Sequence, residues 1–135
     1  MLLPITAITA AVLALLLLAL AMLTVKHRLN LKAAFGDAED PGLIAASRSH
    51  GNLAEHAPIV LIMLGLLEHN GVCAACLTAL AGVFVIGRFA HAWGLHIKSE
   101  PGKSPIPRQV GVVATWLTIL ALAGWLLVLA LGASG

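Results

Sequence analysis

Four long apolar blocks account for nearly all of the 135-residue chain. They cover about residues 2–25, 43–67, 71–97 and 109–132, and the first has no charged side chain. A bilayer core of about 30 Å is crossed by about 20 apolar residues in a helix, so each block is long enough to span a membrane. The blocks lack the alternating pattern of barrel strands, and a helix bonds its backbone amides within its own segment. We therefore predict an all-α integral membrane protein, a four-helix bundle forming one domain over residues 1–135.

The composition agrees with a membrane protein. The chain is 60% hydrophobic and only 10% charged, and its mean hydropathy is +0.99, whereas soluble domains have about 25% charged residues. A cleaved signal peptide is the alternative for the first block. That alternative is disfavoured because no basic residue precedes Leu2 and no soluble segment follows, so we expect the first helix to stay.

Basic residues indicate how the helices cross the membrane. Those in the first and third connections are Lys26, Arg28, Lys32, Lys98, Lys103 and Arg108. The second connection and both termini have none. The positive-inside rule places the first and third connections in the cytoplasm and both termini outside. The net charge of +2 then reflects topology, and no nucleic-acid partner is expected.

Cys73 and Cys76 form a C-x-x-C motif at the outer start of the third helix. A redox pair or half of a metal site is one interpretation. Two cysteines cannot complete a tetrahedral zinc site, and this spacing also places two small residues on one helical face. We favour the packing interpretation and predict no metal site.

The second helix begins with Asp40-Pro41, which predicts an N-cap followed by proline at the first helical position. Farther along, Arg48, Asn52 and Glu55 fall within about 60° of one another at 100° per residue. If the helix starts near residue 43, Glu55 lies about 18 Å from its inner end. Ionisable groups at such depth face the bundle interior or a wet cavity, and they are functional by default.

The third helix carries Arg88 and His91. Arg88 lies about 14 Å from the inner end of that helix, near the depth of Glu55, so we predict that the two side chains pair. A buried clamp between two helices is the purely structural interpretation of that pair.

The clamp does not account for all the cations in the cytoplasmic third of the bundle. Three arginines there oppose one glutamate: Arg48, Arg88 and Arg108 against Glu55. This excess suits a small anionic ligand with carboxylates. Arginine is the appropriate donor because its planar guanidinium binds a carboxylate bidentately and stays charged in a low dielectric.

Taken in order over about residues 26–116, these motifs resemble the MAPEG family, the membrane-associated proteins of eicosanoid and glutathione metabolism. The motifs are Asp40-Pro41, R-x-H-x-N-x-x-E from Arg48 to Glu55 with Pro58 following, G-R-x-x-H from Gly87 to His91, and Arg108. The resemblance implies a homotrimer of four-helix subunits in a bacterial inner membrane. It also implies glutathione bound between neighbouring subunits near the cytoplasmic face.

The resemblance assigns roles to individual residues. Those expected to bind or brace glutathione are Arg48, Asn52, Glu55, Arg88, His91 and, in the first connection, Arg28. Arg108 would lie at the sulfur as the catalytic residue. A free thiol has a pKa of about 8.5, which a nearby guanidinium lowers. The expected function is therefore a glutathione-dependent transferase or peroxidase whose second substrate, a hydrophobic electrophile or lipid peroxide, arrives from the membrane.

Two other functions stay open. Many family members place tyrosines near the thiol, whereas this chain has no tyrosine and has Leu95 and Val112 in the corresponding region. A non-catalytic lipid- or glutathione-binding scaffold of the same fold is therefore the main alternative. A small multidrug transporter is less favoured, because it would be expected to have an essential carboxylate in the first helix, where this chain has none.

Overall fold

The computed structural model describes residues 2–98 and 102–132. These form four helices: α1 (Pro4–Leu31), α2 (Pro41–His69), α3 (Ala74–His96) and α4 (Ile106–Gly132). All four are long and apolar enough to cross a membrane, and the described ranges contain no strand. The predicted all-α four-helix membrane bundle is confirmed. Parts of the predicted domain, residues 1, 99–101 and 133–135, lie outside the described residues.

The helix ends differ from the limits of the apolar blocks. α1 runs to Leu31 and includes Lys26 and Arg28, because charge ends an apolar block but lysine and arginine are good helix formers. α3 starts at Ala74 rather than near residue 71. Gly71 belongs to the preceding turn, where it adopts a φ of +68° that favours glycine.

The predicted start of α2 is confirmed. Asp40 is the N-cap, and its Oδ1 accepts a hydrogen bond of 2.7 Å from the backbone N–H of Leu43. Pro41 follows at the first helical position. A backbone N–H at that position would have no partner inside the helix, so proline costs no hydrogen bond there.

Glu68, near the outer end of α2, holds the start of α1. Its Oε1 accepts from the Ile5 backbone N–H at 2.7 Å. Its Oε2 accepts from the Thr6 backbone N–H at 2.8 Å and from the Thr6 hydroxyl at 2.7 Å. The carboxylate thus satisfies first-turn amides that have no partner within α1, and it lies at the positive end of the helix dipole.

The two central helices, α2 and α3, each contact all the others, whereas α1 and α4 do not touch in the described part of the chain. The interior between them is filled by fully buried side chains, which include Phe84, Leu13, Leu64, Leu77 and Leu122. Many large apolar side chains of α1 and α4 remain exposed on the single subunit, as expected for helices that face lipid or other subunits.

Glu68→Ala is expected to destabilise the bundle by about 1–2 kcal/mol, because it removes the cap of α1. Thermal unfolding in detergent would measure the loss. His69→Ala is the matched control, since His69 is the exposed neighbour of Glu68. An unchanged melting temperature for Glu68→Ala would contradict the capping role.

Candidate functional site

A cleft of about 320 Å³ lies among α2, α3 and α4. It is lined by Asn52, Glu55, His56, Arg88, His91, Arg108, Val112, Thr115 and Trp116. The structure therefore brings together five of the seven predicted site residues: Asn52, Glu55, Arg88, His91 and Arg108.

Glycines let α3 and α4 pack backbone to backbone beside this cleft. A Cβ atom added to Gly111 would lie 2.6 Å from the Cβ of His91 and 2.8 Å from its backbone nitrogen. One added to Gly87 would lie 2.9 Å from the Cβ of Ala114, and one at Gly94 would collide with the backbone of Arg108. Small residues permit such close helix contacts in membranes. The contact places Arg88 and His91 directly against α4.

Arg88 is 3% exposed and links three helices. Its Nη1 donates to the Asn52 carbonyl of α2 at 3.3 Å, and its Nη2 donates to the Gly111 carbonyl of α4 at 3.2 Å. Its guanidinium carbon also lies 5.8 Å from the ring centroid of Phe84, within the range of a cation–π contact.

The predicted ion pair between Glu55 and Arg88 is wrong. The depths of the two residues match, but the donors of Arg88 are directed to backbone carbonyls, and no ion pair joins it to Glu55 in the described part of the chain. Leu53 occupies the buried face of α2, whereas the Glu55 side chain is exposed on the single subunit. Glu55 therefore lines the cleft with its carboxylate unpaired within residues 2–98 and 102–132.

His91 is 4% exposed, and its Nδ1 lies 3.4 Å from the Arg108 carbonyl. Because a carbonyl only accepts, Nδ1 carries the hydrogen in this bond and Nε2 presents a lone pair. That Nε2 and the Nε of Arg88 are buried without a hydrogen-bond partner among the described residues. Buried polar atoms are normally bonded, so two orphans beside one cleft indicate where a ligand or water binds.

Four residues that line the cleft were not among the predicted site residues: His56, Val112, Thr115 and Trp116. The helical periodicity of α2 does place His56 next to the stripe of Arg48, Asn52 and Glu55. The Nδ1 of His56 donates to the Asn52 carbonyl at 2.8 Å, the same carbonyl that Arg88 uses. The Thr115 hydroxyl donates to the Gly111 carbonyl at 2.8 Å. Helical periodicity could have predicted Thr115 at the site, because it lies two turns after Arg108 and hence on the same face of α4.

The other two predicted residues lie outside the cleft of the single chain. Arg48 is exposed on α2. Arg28 lies at the end of α1, where its Nη1 donates to the Ala34 carbonyl at 3.3 Å. Their part in ligand binding stays a prediction.

Cys73 and Cys76 are joined by a disulfide at the start of α3. Both side chains are exposed, so the favoured packing interpretation is wrong. The described residues contain no group of three or more histidine, cysteine, aspartate or glutamate side chains arranged to hold a metal ion.

The family model described as "MAPEG family" matches residues 6–128. Inner membrane protein YecN of Escherichia coli strain K12 is 31% identical over 116 residues, which cover 86% of this chain and 85% of that protein. The protein of the same name from E. coli O6:H1 strain CFT073 shows the same identity and coverage. No solved structure matches the chain.

Gly111→Ala is expected to lower stability by about 1–3 kcal/mol, because the added methyl group overpacks the contact between α3 and α4. Gly124→Ala is the matched control on the same helix, since a Cβ there meets nothing within 4 Å. The control should melt at or above the wild-type temperature, because alanine favours helix more than glycine. If both variants melted alike, the close contact would not be the constraint described.

Proposed function

The chain belongs to the MAPEG family and is an integral inner membrane protein, and on that premise we propose that it is a glutathione-dependent transferase or peroxidase acting on hydrophobic electrophiles. The observation that supports this most strongly is the pair of orphaned polar atoms, Arg88 Nε and His91 Nε2, beside a cleft that also holds Arg108. Such a cleft is built to receive a polar, anionic ligand within an apolar bundle.

The chemical groups of glutathione match those of the cleft. Its two carboxylates are ligands for guanidinium groups, and Arg88 and Arg108 line the cleft. Its ammonium is a partner for Glu55, whose carboxylate has no ion pair within the described residues. The lone pair on His91 Nε2 accepts a hydrogen bond from a ligand N–H. Asn52 adds an amide that both donates and accepts.

Arg108 is the proposed catalytic residue. A guanidinium beside the glutathione sulfur stabilises the thiolate, which is the nucleophilic form. The thiol proton leaves to water, the sulfur attacks the electrophilic carbon or a peroxide oxygen, and the leaving group departs with the bonding electrons. Val112 and Trp116 give the cleft an apolar wall for the second substrate.

The exposed charges of α2 support assembly. Arg48 and Glu55 are exposed on the single subunit although they lie within a membrane-spanning helix. Charged groups at such depth are costly against lipid and normally face protein or a wet cavity. We propose that neighbouring subunits of a homotrimer cover them, so that glutathione binds at the subunit boundary, where Arg48 and Arg28 also contribute.

Arg108→Ala should lower the fraction of bound glutathione present as thiolate by about tenfold or more at neutral pH, equivalent to at least one unit in the pKa of the thiol. Ultraviolet thiolate absorbance on mixing with glutathione would measure this, with binding followed by calorimetry in detergent. Gln109→Ala is the control, because Gln109 is the exposed neighbour and does not line the cleft. An undiminished thiolate signal in Arg108→Ala would remove Arg108 from this role.

A scaffold of the same fold is the second candidate. The chain has no tyrosine, and the hydroxyl hydrogen of Thr115 is already given to the Gly111 carbonyl, so α4 offers no free hydroxyl donor to the sulfur from this position. Calorimetric binding of glutathione without thiolate absorbance, and without turnover of a chromogenic aryl halide, would favour the scaffold. Thiolate formation with turnover would favour the enzyme.

The proposed orientation places the cleft near the cytoplasmic face and both termini outside. In intact cells, a membrane-impermeant maleimide should label the reduced thiols of Cys73 and Cys76 at the start of α3. It should not label a Ser104→Cys thiol in a Cys73→Ser, Cys76→Ser background, because Ser104 lies in the third connection. The opposite orientation would be indicated if the Ser104→Cys thiol were labelled in intact cells and the native cysteine pair were labelled only in inverted vesicles.

A further inference from the structure

The disulfide between Cys73 and Cys76 lies at the end of the bundle opposite the connections rich in basic residues. Both cysteines are exposed, and their Cα atoms are 5.3 Å apart. The first lies in the turn that follows α2, and the second lies in the first turn of α3. Solvent-borne thiols therefore reach both sulfur atoms.

The bond is poorly suited to a structural role. A disulfide stabilises a fold mainly by restricting the unfolded chain, and the effect falls as the enclosed loop shortens. Here only two residues, Ala74 and Ala75, lie between the cysteines. The outer ends of α1 and α2 are already joined through Glu68, and α2 continues into α3 through a short turn.

The two sulfur atoms are not equivalent. Cys73 is the N-cap of α3, and its Sγ accepts a hydrogen bond of 3.3 Å from the Cys76 backbone N–H. That amide is one of the first-turn donors without a partner inside the helix. The same hydrogen bond and the positive end of the helix dipole stabilise a thiolate on Cys73. The nearby carboxylate of Glu68 is bonded to Ile5 and Thr6 of α1.

From this geometry we propose that Cys73 and Cys76 form a thiol–disulfide exchange site that accepts two electrons from a soluble dithiol. A thiolate of the dithiol attacks Cys76 Sγ, the Cys73–Cys76 bond breaks, and Cys73 leaves as the stabilised thiolate. The second thiol of the dithiol then loses its proton and attacks the other sulfur of the same dithiol, which is bonded to Cys76. The bond to Cys76 breaks and Cys76 leaves as a thiolate. Two electrons and two protons pass to the cysteine pair, and the dithiol becomes a cyclic disulfide.

This direction of attack follows from the leaving group, since a sulfur that is stabilised as a thiolate leaves faster. In the reverse of the same path, Cys76 is the thiol that attacks the cyclic disulfide, and Cys73 then attacks Cys76 Sγ and resolves the mixed disulfide. The site is independent of the cleft. In the proposed orientation it faces the compartment outside the inner membrane, where disulfides persist.

The test uses the full-length protein purified in detergent without reductant. Mass-tagging with a maleimide should add no tag before treatment with dithiothreitol and two tags after it. With the single-cysteine variants, the Cys73 thiol of Cys76→Ser should react with iodoacetamide at neutral pH about tenfold faster than the Cys76 thiol of Cys73→Ser, because more of it is thiolate.

A matched reference for an ordinary exposed thiol is His69→Cys in a Cys73→Ser, Cys76→Ser background. His69 is exposed at the same end of the bundle, in the last turn of α2, where the helix dipole does not favour a thiolate. The proposal is overturned if the untreated protein accepts two tags, or if Cys73 reacts no faster than this reference or than Cys76. Loss of glutathione binding would not bear on it, since the cleft contains neither cysteine.

Discussion

The close contact between α3 and α4 is the constraint on which the candidate site depends. Gly87, Gly94 and Gly111 have no side chains to hold the two backbones apart. The Gly111 carbonyl is therefore within 3.2 Å of Arg88, and the Arg108 carbonyl within 3.4 Å of His91. A larger residue at Gly111 would displace the acceptor that Arg88 needs inside the apolar bundle. The site is thus positioned by backbone packing, and its buried charged side chain, Arg88, bonds to backbone carbonyls rather than to a carboxylate.

This arrangement leaves charge available to a ligand. A buried guanidinium that paired with Glu55 would have its charge neutralised by the protein itself. Here Arg88 is bonded to neutral carbonyls and its Nε has no hydrogen-bond partner, while Glu55 keeps an unpaired carboxylate among the described residues. Carbonyl dipoles offset part of the cost of burying a cation without cancelling its charge. A ligand with both carboxylates and an ammonium complements both unpaired groups at once, which is the pattern of a peptide such as glutathione.

Hydropathy and helical periodicity predicted the number of helices, their class and the co-location of Asn52, Glu55, Arg88, His91 and Arg108, because depth in a membrane follows directly from position along a helix. They did not predict which atoms bond. The Glu55 and Arg88 pair failed because matching depth says nothing about rotation of one helix against another. The cap that Glu68 provides for α1 was not predicted, because its partners, Ile5 and Thr6, lie more than 60 residues away in the sequence. The redox-pair interpretation of Cys73 and Cys76 was disfavoured because the same spacing also suits two packed small residues.

The disulfide and the candidate site both involve α3, but they lie far apart along that helix. Cys73 caps the start of α3, whereas Arg88 and His91 lie in its second half, about 21 Å or more farther along the axis. A thiol held beside Arg108, as proposed, would be too far from Cys73 to react with it. The proposed exchange at the disulfide therefore takes its electrons from outside the bundle, and the proposed chemistry in the cleft does not depend on the oxidation state of the pair.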